Sequence, residues 1–153
     1  MEVSVVELKP TLVFGMTKAG PYKIIAEMIP VLREFTEGKT EIIGAPIFVC
    51  HESAEEAMEA GRNGSAEVEA AVPIAEKIEE TSEMKNYTLP GGRFAKIAHK
   101  GRYEDCGLAY QKLFRWIAEN KKQVIGPTRE HYLNDPHEVK PEEILTEIFA
   151  PIE

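Results

Sequence analysis

Short apolar runs of period two alternate along this chain with two runs of period three to four. Val3, Val5, Val6 and Leu8 read as a strand, and after Pro10 the extended pattern resumes at Leu12–Met16. Ile24, Ile25, Met28, Leu32 and Phe35 then recur at helical spacing as far as Gly38, with Pro30 predicted to kink or split that helix. A strand is predicted over 42–49, bent at Gly44 and Pro46, and another over 66–74, with an acidic, turn-prone stretch between them that reverses at Asn63-Gly64. Residues 75–84 read as a connector. Tyr87–Leu89, a turn at Pro90-Gly91-Gly92 and the strand Phe94–His99 follow. The clearest helix comes next. Glu104 and Asp105 suit its positive end, Cys106, Ala109, Tyr110, Leu113, Phe114 and Ile117 form its stripe, and it should end near Asn120. A strand over 128–134, a polar loop with a helical turn at Pro141-Glu142-Glu143, and a last strand over 146–152 complete the chain.

That last strand carries a carboxylate in an otherwise apolar run. Strand alternation puts Thr146, Ile148, Ala150 and Ile152 on one face, and Glu147 beside Phe149 on the other. A desolvated carboxylate is costly unless something satisfies it, so Glu147 needs a partner, a ligand or water. It has an echo. Val68-Glu69-Ala70-Ala71-Val72-Pro73-Ile74 also sets a Glu four residues before a Pro-Ile pair. Lys18-Ala19-Gly20-Pro21-Tyr22 likewise matches the run from Lys100 to Tyr103, while Leu32 and Phe35 match Leu113 and Trp116, and Ile43-Gly44 matches Ile125-Gly126. Four matches in one order imply a duplication. The predicted fold is α+β: two tandem strand-helix-strand-strand, SH2-like units, about 3–74 and 87–152, within a single domain over 1–153. They would be related by a pseudo-twofold axis, with a central cleft that receives Glu69 and Glu147.

Bulk composition narrows the function. With 153 residues, 43% of them hydrophobic and 29% charged, the chain has ordinary globular usage. Its net charge of -8 argues against direct nucleic-acid binding and favours cations over anions as partners. The acidic N-terminus lacks the basic start and apolar run of a signal peptide, and no window is long enough to cross a bilayer, so a cytoplasmic location is expected. Cys50 and Cys106 are isolated and expected to be reduced. His51, His99, His131 and His137 show no metal-ligand spacing, so surface or capping roles are expected of them, with neither metal nor cofactor.

The stretch Gly101-Arg102-Tyr103, Leu113–Trp116, Ile125-Gly126-Pro127, Tyr132-Leu133-Asn134-Asp135-Pro136, Pro141-Glu142-Glu143 and Thr146-Glu147 to Pro151-Ile152 resembles the GyrI-like small-molecule-binding family. That family includes gyrase inhibitory protein and the effector-binding domains of multidrug-responsive transcription activators. The resemblance covers essentially the whole chain and leaves no segment for a helix-turn-helix. It implies a central pocket for hydrophobic, often cationic, small molecules with a buried acidic residue at its floor, which by position is Glu147. The aromatic walls would draw on Tyr110, Trp116, Tyr132 and Phe149, and on Phe14 or Phe48. Some relatives hydrolyse electrophilic natural products, which would make Glu147 a general base and Tyr132 its hydrogen-bonding helper. A gyrase-inhibitor-like protein-binding module is a third possibility.

The residues themselves leave alternatives open. Glu147 could be an edge-strand carboxylate facing water, and Tyr110 and Trp116 lie on a stripe that also reads as core. Tyr132, flanked by polar residues, is the better aromatic wall. Glu69 ranks below Glu147, because Ala71 stands where the other copy has Phe149, and it is expected to be solvated or at a rim.

Overall fold

The computed structural model describes residues 2–52 and 66–153; the expected reversal at Asn63-Gly64 lies outside them. The architecture is mixed α and β, with antiparallel strands and, among the described residues, two α-helices, and it divides into two compact units, residues 10–90 and residues 1–9 with 91–153.

In the unit of residues 10–90, β2 (Thr11–Gly20) pairs antiparallel with β4 (Ala66–Pro73) on one side and with β5 (Lys85–Leu89) on the other, and β3 (Ile47–Cys50) pairs with β4. Helix α1 (Ile25–Thr36) packs on one face of this sheet. Met28 and Leu32 are buried there, and Phe35 stacks on Phe14 with ring centroids 5.4 Å apart. Pro30 does not split α1, which runs through it as one helix. Proline gives up one backbone donor, and the apolar stripe either side of it holds the helix on the sheet. The predicted strand over 42–49 is shorter than expected. Pro46 offers no donor and Gly44 rides against the ring of Pro73, so the chain touches β4 through the isolated bridge Ile42–Ile74 and forms a ladder only from Ile47.

In the other unit, β6 (Gly92–Lys100) pairs with β1 (Ser4–Leu8) and with β8 (Leu145–Pro151), and β7 (Thr128–Tyr132) pairs with β8, all antiparallel. Helix α2 (Gly107–Glu119) covers one face. The stripe is legible: Ala109, Leu113 and Ile117 are buried over Ala95, Ile97, Ile148, Ala150 and Ile152, with Tyr110, Phe114 and Trp116 flanking them. Burying each large aliphatic chain contributes about 1.5–3 kcal/mol. Both helices lack a side-chain N-cap and are entered through a single 3-10 turn, Tyr22–Ile24 and Tyr103–Asp105. The first strands of the two expected SH2-like units pair outside those units, β1 with β6 and β5 with β2.

Candidate ligand-binding site

Alternation along β4 sends Val68, Ala70 and Val72 toward α1 and turns Glu69 and Ala71 to the opposite face. That second face is apolar, formed by Val13, Ile47, Val49, Ala71 and Leu89 with Tyr87 against them. Glu69 is only 8% exposed, not solvated as expected of it. Each carboxylate oxygen has a donor: the Tyr87 hydroxyl donates to Oε2 at 2.8 Å, and His51 Nε2 donates to Oε1 at 2.6 Å. Burial, and then the negative charge of Glu69, push the Tyr87 phenol well above its ordinary pKa, so it remains a donor.

Gly15 makes this contact possible. Tyr87 lies on β5, and its ring must cross β2 to reach β4. It crosses at Gly15, a strand glycine with no side chain in the way. His51 follows the last residue of β3, two positions after Val49, the cross-strand neighbour of Glu69. His51 is exposed, as expected of it, and it also bonds a buried carboxylate.

Glu147, by contrast, sits on the face of β8 away from α2, with Phe149, and forms an ion pair with Lys96. The Glu147 side chain is 20% exposed, about twice as open as that of Glu69 at 11%. Around it, the His131 ring lies 4.4 Å from that of Phe149, and Arg129 lies 4.7 Å over the ring of Phe94. His131 is not a surface histidine: its Nε2 is buried with no hydrogen-bond partner, and burial, with Arg129 and Lys96, lowers its pKa to about 4 against the pull of Glu147.

Tyr132 and Tyr110 do not turn to Glu147. Both donate to Glu130, a carboxylate on the α2 side of β7, Tyr132 at 3.1 Å. Burial raises the Glu130 pKa, opposed by the two phenols and by His99. Tyr103 meets Tyr132 edge-on. The reason is register: Tyr132 pairs with Thr146 and His131 with Glu147, so the histidine takes the face expected of the tyrosine. Phe14 is fully buried under α1, Phe48 is buried edge-on to Tyr22, and Trp116 lines a shallow hollow with Lys112, Arg115 and Glu119. His99 is buried and donates to the Arg102 carbonyl at 2.8 Å, tying down the turn before α2. Gly15, His51 and Tyr87 were not foreseen as companions of Glu69, nor Glu130 as the partner of Tyr110 and Tyr132; the glycine inside a strand was the one signal that marked a close approach.

The family model of the GyrI-like small molecule binding domain matches residues 1–153. The chain belongs to this family. Among solved structures, this GyrI-like domain resembles the EcmrR C-terminal domain with a TM-score of 0.87 at 18% identity, covering 99% of this chain and 97% of that one. It spans 57% of the EcmrR chain in an EcmrR–DNA complex, at 17% identity and a TM-score of 0.87, with 99% of this chain covered. A hydrolase encoded by lin2189 from Listeria innocua has a TM-score of 0.71 at 12% identity, with 99% and 92% covered. SAV2435 bound to tetraphenylphosphonium has a TM-score of 0.63 at 12% identity, with 100% and 94% covered. These likenesses show a shared fold. Among the described residues, no helix is long and apolar enough to cross a membrane.

Proposed function

We propose that this GyrI-like domain binds amphipathic organic cations, with Glu69 as the charge partner. The observation that carries this is the company Glu69 keeps: a buried carboxylate on an apolar sheet face, bonded by a phenol and an imidazole, with no lysine or arginine salt bridge to it among the described residues. A cation about 4 Å from it would gain roughly 4 kcal/mol at an effective dielectric of 20, against about 1 kcal/mol in water. The Tyr87 ring would add cation–π contact of about 0.5–2 kcal/mol. Tetraphenylphosphonium, the bulky aromatic cation bound by SAV2435, is the kind of ligand such a face would take. Glu147 is the second acidic candidate in this reading and contributes less, because Lys96 already neutralises it. The test is titration with tetraphenylphosphonium and with neutral triphenylphosphine oxide. Glu69→Gln is expected to weaken the cation at least about tenfold and leave the neutral compound nearly unchanged. Equal loss for both compounds rejects the charge-pairing role.

A hydrolase is the second reading, favoured by the meeting of carboxylate, phenol and imidazole at one place and by the fold shared with the Listeria innocua hydrolase. Glu69 would act as general base toward water and Tyr87 as the donor to the developing negative charge. Turnover of an electrophilic substrate, abolished in Glu69→Gln and reduced in Tyr87→Phe, would decide for it. No turnover across a panel of strained and activated substrates decides against it.

A further inference from the structure

The two partners of Glu69 are not equivalent. Tyr87 is built into the ladder of β5, opposite Val13, and its ring lies over Gly15 with its hydroxyl fixed on Oε2. His51 stands beyond the end of β3, with a side chain 30% exposed against 11% for the carboxylate it holds. An incoming cation can take Oε1 only by moving the imidazole, and the imidazole is the partner with room to leave.

We infer that His51 gates the Glu69 site: when protonated it occupies the carboxylate that a ligand cation needs, so cation binding expels the imidazolium from Glu69 and releases its proton. This rests on the proposed role of Glu69 in binding cations and adds to it the regulation of that site. Charge balances: one cation arrives at Glu69, one proton passes from His51 Nε2 to the buffer, and the neutral imidazole remains beside the ligand.

The surrounding groups leave His51 in control. From β2, the face beside Glu69 presents Gly15 and Thr17, and from β3 it presents Val49. From β5 it presents Tyr87 and Lys85, and Lys85 pairs with Glu80 at 3.9 Å. On β4 itself, Glu67 is exposed two residues away. Glu52, next in the chain to His51, is held by the Tyr22 hydroxyl and by the Glu67 amide. Among the described residues, His51 is the group bonded to Glu69 that can carry a positive charge.

The experiment is calorimetric titration of tetraphenylphosphonium chloride from about pH 8 to about pH 5.5, in buffers of different ionisation enthalpy so that released protons are counted. The wild-type protein is expected to lose roughly tenfold in affinity toward acid pH and to release close to one proton per cation there. His51→Asn is expected to bind with a flat pH profile and no proton release. His51→Lys, which keeps a cation on the carboxylate, is expected to bind weakly across the range. An Asn variant with the wild-type slope and proton count overturns the gate and leaves the Glu69 reading standing. A flat wild-type profile also overturns it. A Glu69→Gln variant that binds like the wild type at about pH 8 overturns the Glu69 reading itself, and the gate with it.

Discussion

The Tyr87 hydroxyl passes so close to Gly15 that a Cβ on the glycine would stand 2.3 Å from it, and 2.7 Å from the carbonyl oxygen of Ala70. The glycine is therefore part of the Glu69 site, although it touches no charge. Gly15→Ala forces either β4 or the phenol to move. A destabilisation of about 1–3 kcal/mol is expected, the range of overpacked interiors. That corresponds to a fall in Tm of about 2–4 °C per kcal/mol for a chain of this size. Tyr87→Phe removes the nearer obstacle but leaves the carbonyl. In the Phe background the same alanine should cost less, and a double-mutant cycle read by chemical denaturation measures the difference.

Lys96 and Glu147 supply the complementary experiment. Removing the lysine leaves the carboxylate beside Phe149 without its cation. Both side chains are partly exposed, at 30% and 20%, so solvent softens the loss and Lys96→Met should cost about 1 kcal/mol or less. The same change should create at Glu147 the condition proposed at Glu69. Tetraphenylphosphonium binding is expected to strengthen in Lys96→Met, and to return to the wild-type level when Glu147→Gln is added. An unchanged affinity in both would show that the lysine is not what keeps cations from Glu147.

What the sequence disclosed and what it hid follows from the range of the interactions. The α2 stripe was legible because Ala109, Leu113 and Ile117 repeat with the helix period, a property of neighbours. The two carboxylates in apolar strands were legible for the same reason. Their ranking was not, because it depends on chains brought in from elsewhere: Tyr87 reaches Glu69 from β5, two strands away, while Lys96 meets Glu147 from β6. Ala71 looked like a weaker version of Phe149, yet its small side chain belongs to the apolar face that buries Glu69. Glu130 and His131 were missed because Thr128–Tyr132 is polar along its length. Such a strand looks solvent-facing until α2 covers its Glu130 side and Phe149 packs against His131 on the other.

His131 makes the protein sensitive to acid. Its folded-state pKa is lowered to about 4 from an ordinary 6.5, so its contribution is fully present above pH 6.5 and is lost as the pH falls toward 4. His131→Phe removes the titration and keeps a ring against Phe149. Denaturant titrations should show a flatter acid limb in this variant. Stability at pH 7 should be equal or higher, because the variant also removes a buried ring nitrogen that lacks a partner, a defect of about 1–3 kcal/mol.

Glu130 works in the opposite sense. Burial raises its folded-state pKa above the ordinary 4.5, so the protonated acid is the form the fold prefers. Its contribution is fully present below the ordinary value and is lost as the pH rises through the folded-state value. Tyr110 and Tyr132 reduce that loss by donating to the carboxylate. Tyr110→Phe removes one donor and should cost about 1–2 kcal/mol at neutral pH, and less in acid, where the carboxyl is protonated and carries no charge to satisfy. Glu130→Gln keeps an acceptor for the phenols without the charge. It should hold or gain stability at neutral pH and lose the dependence on pH above the ordinary carboxyl range. A neutral-pH destabilisation in Glu130→Gln as large as that in Glu130→Ala would mean that the charge itself, rather than the hydrogen bonds it accepts, holds α2 to β7.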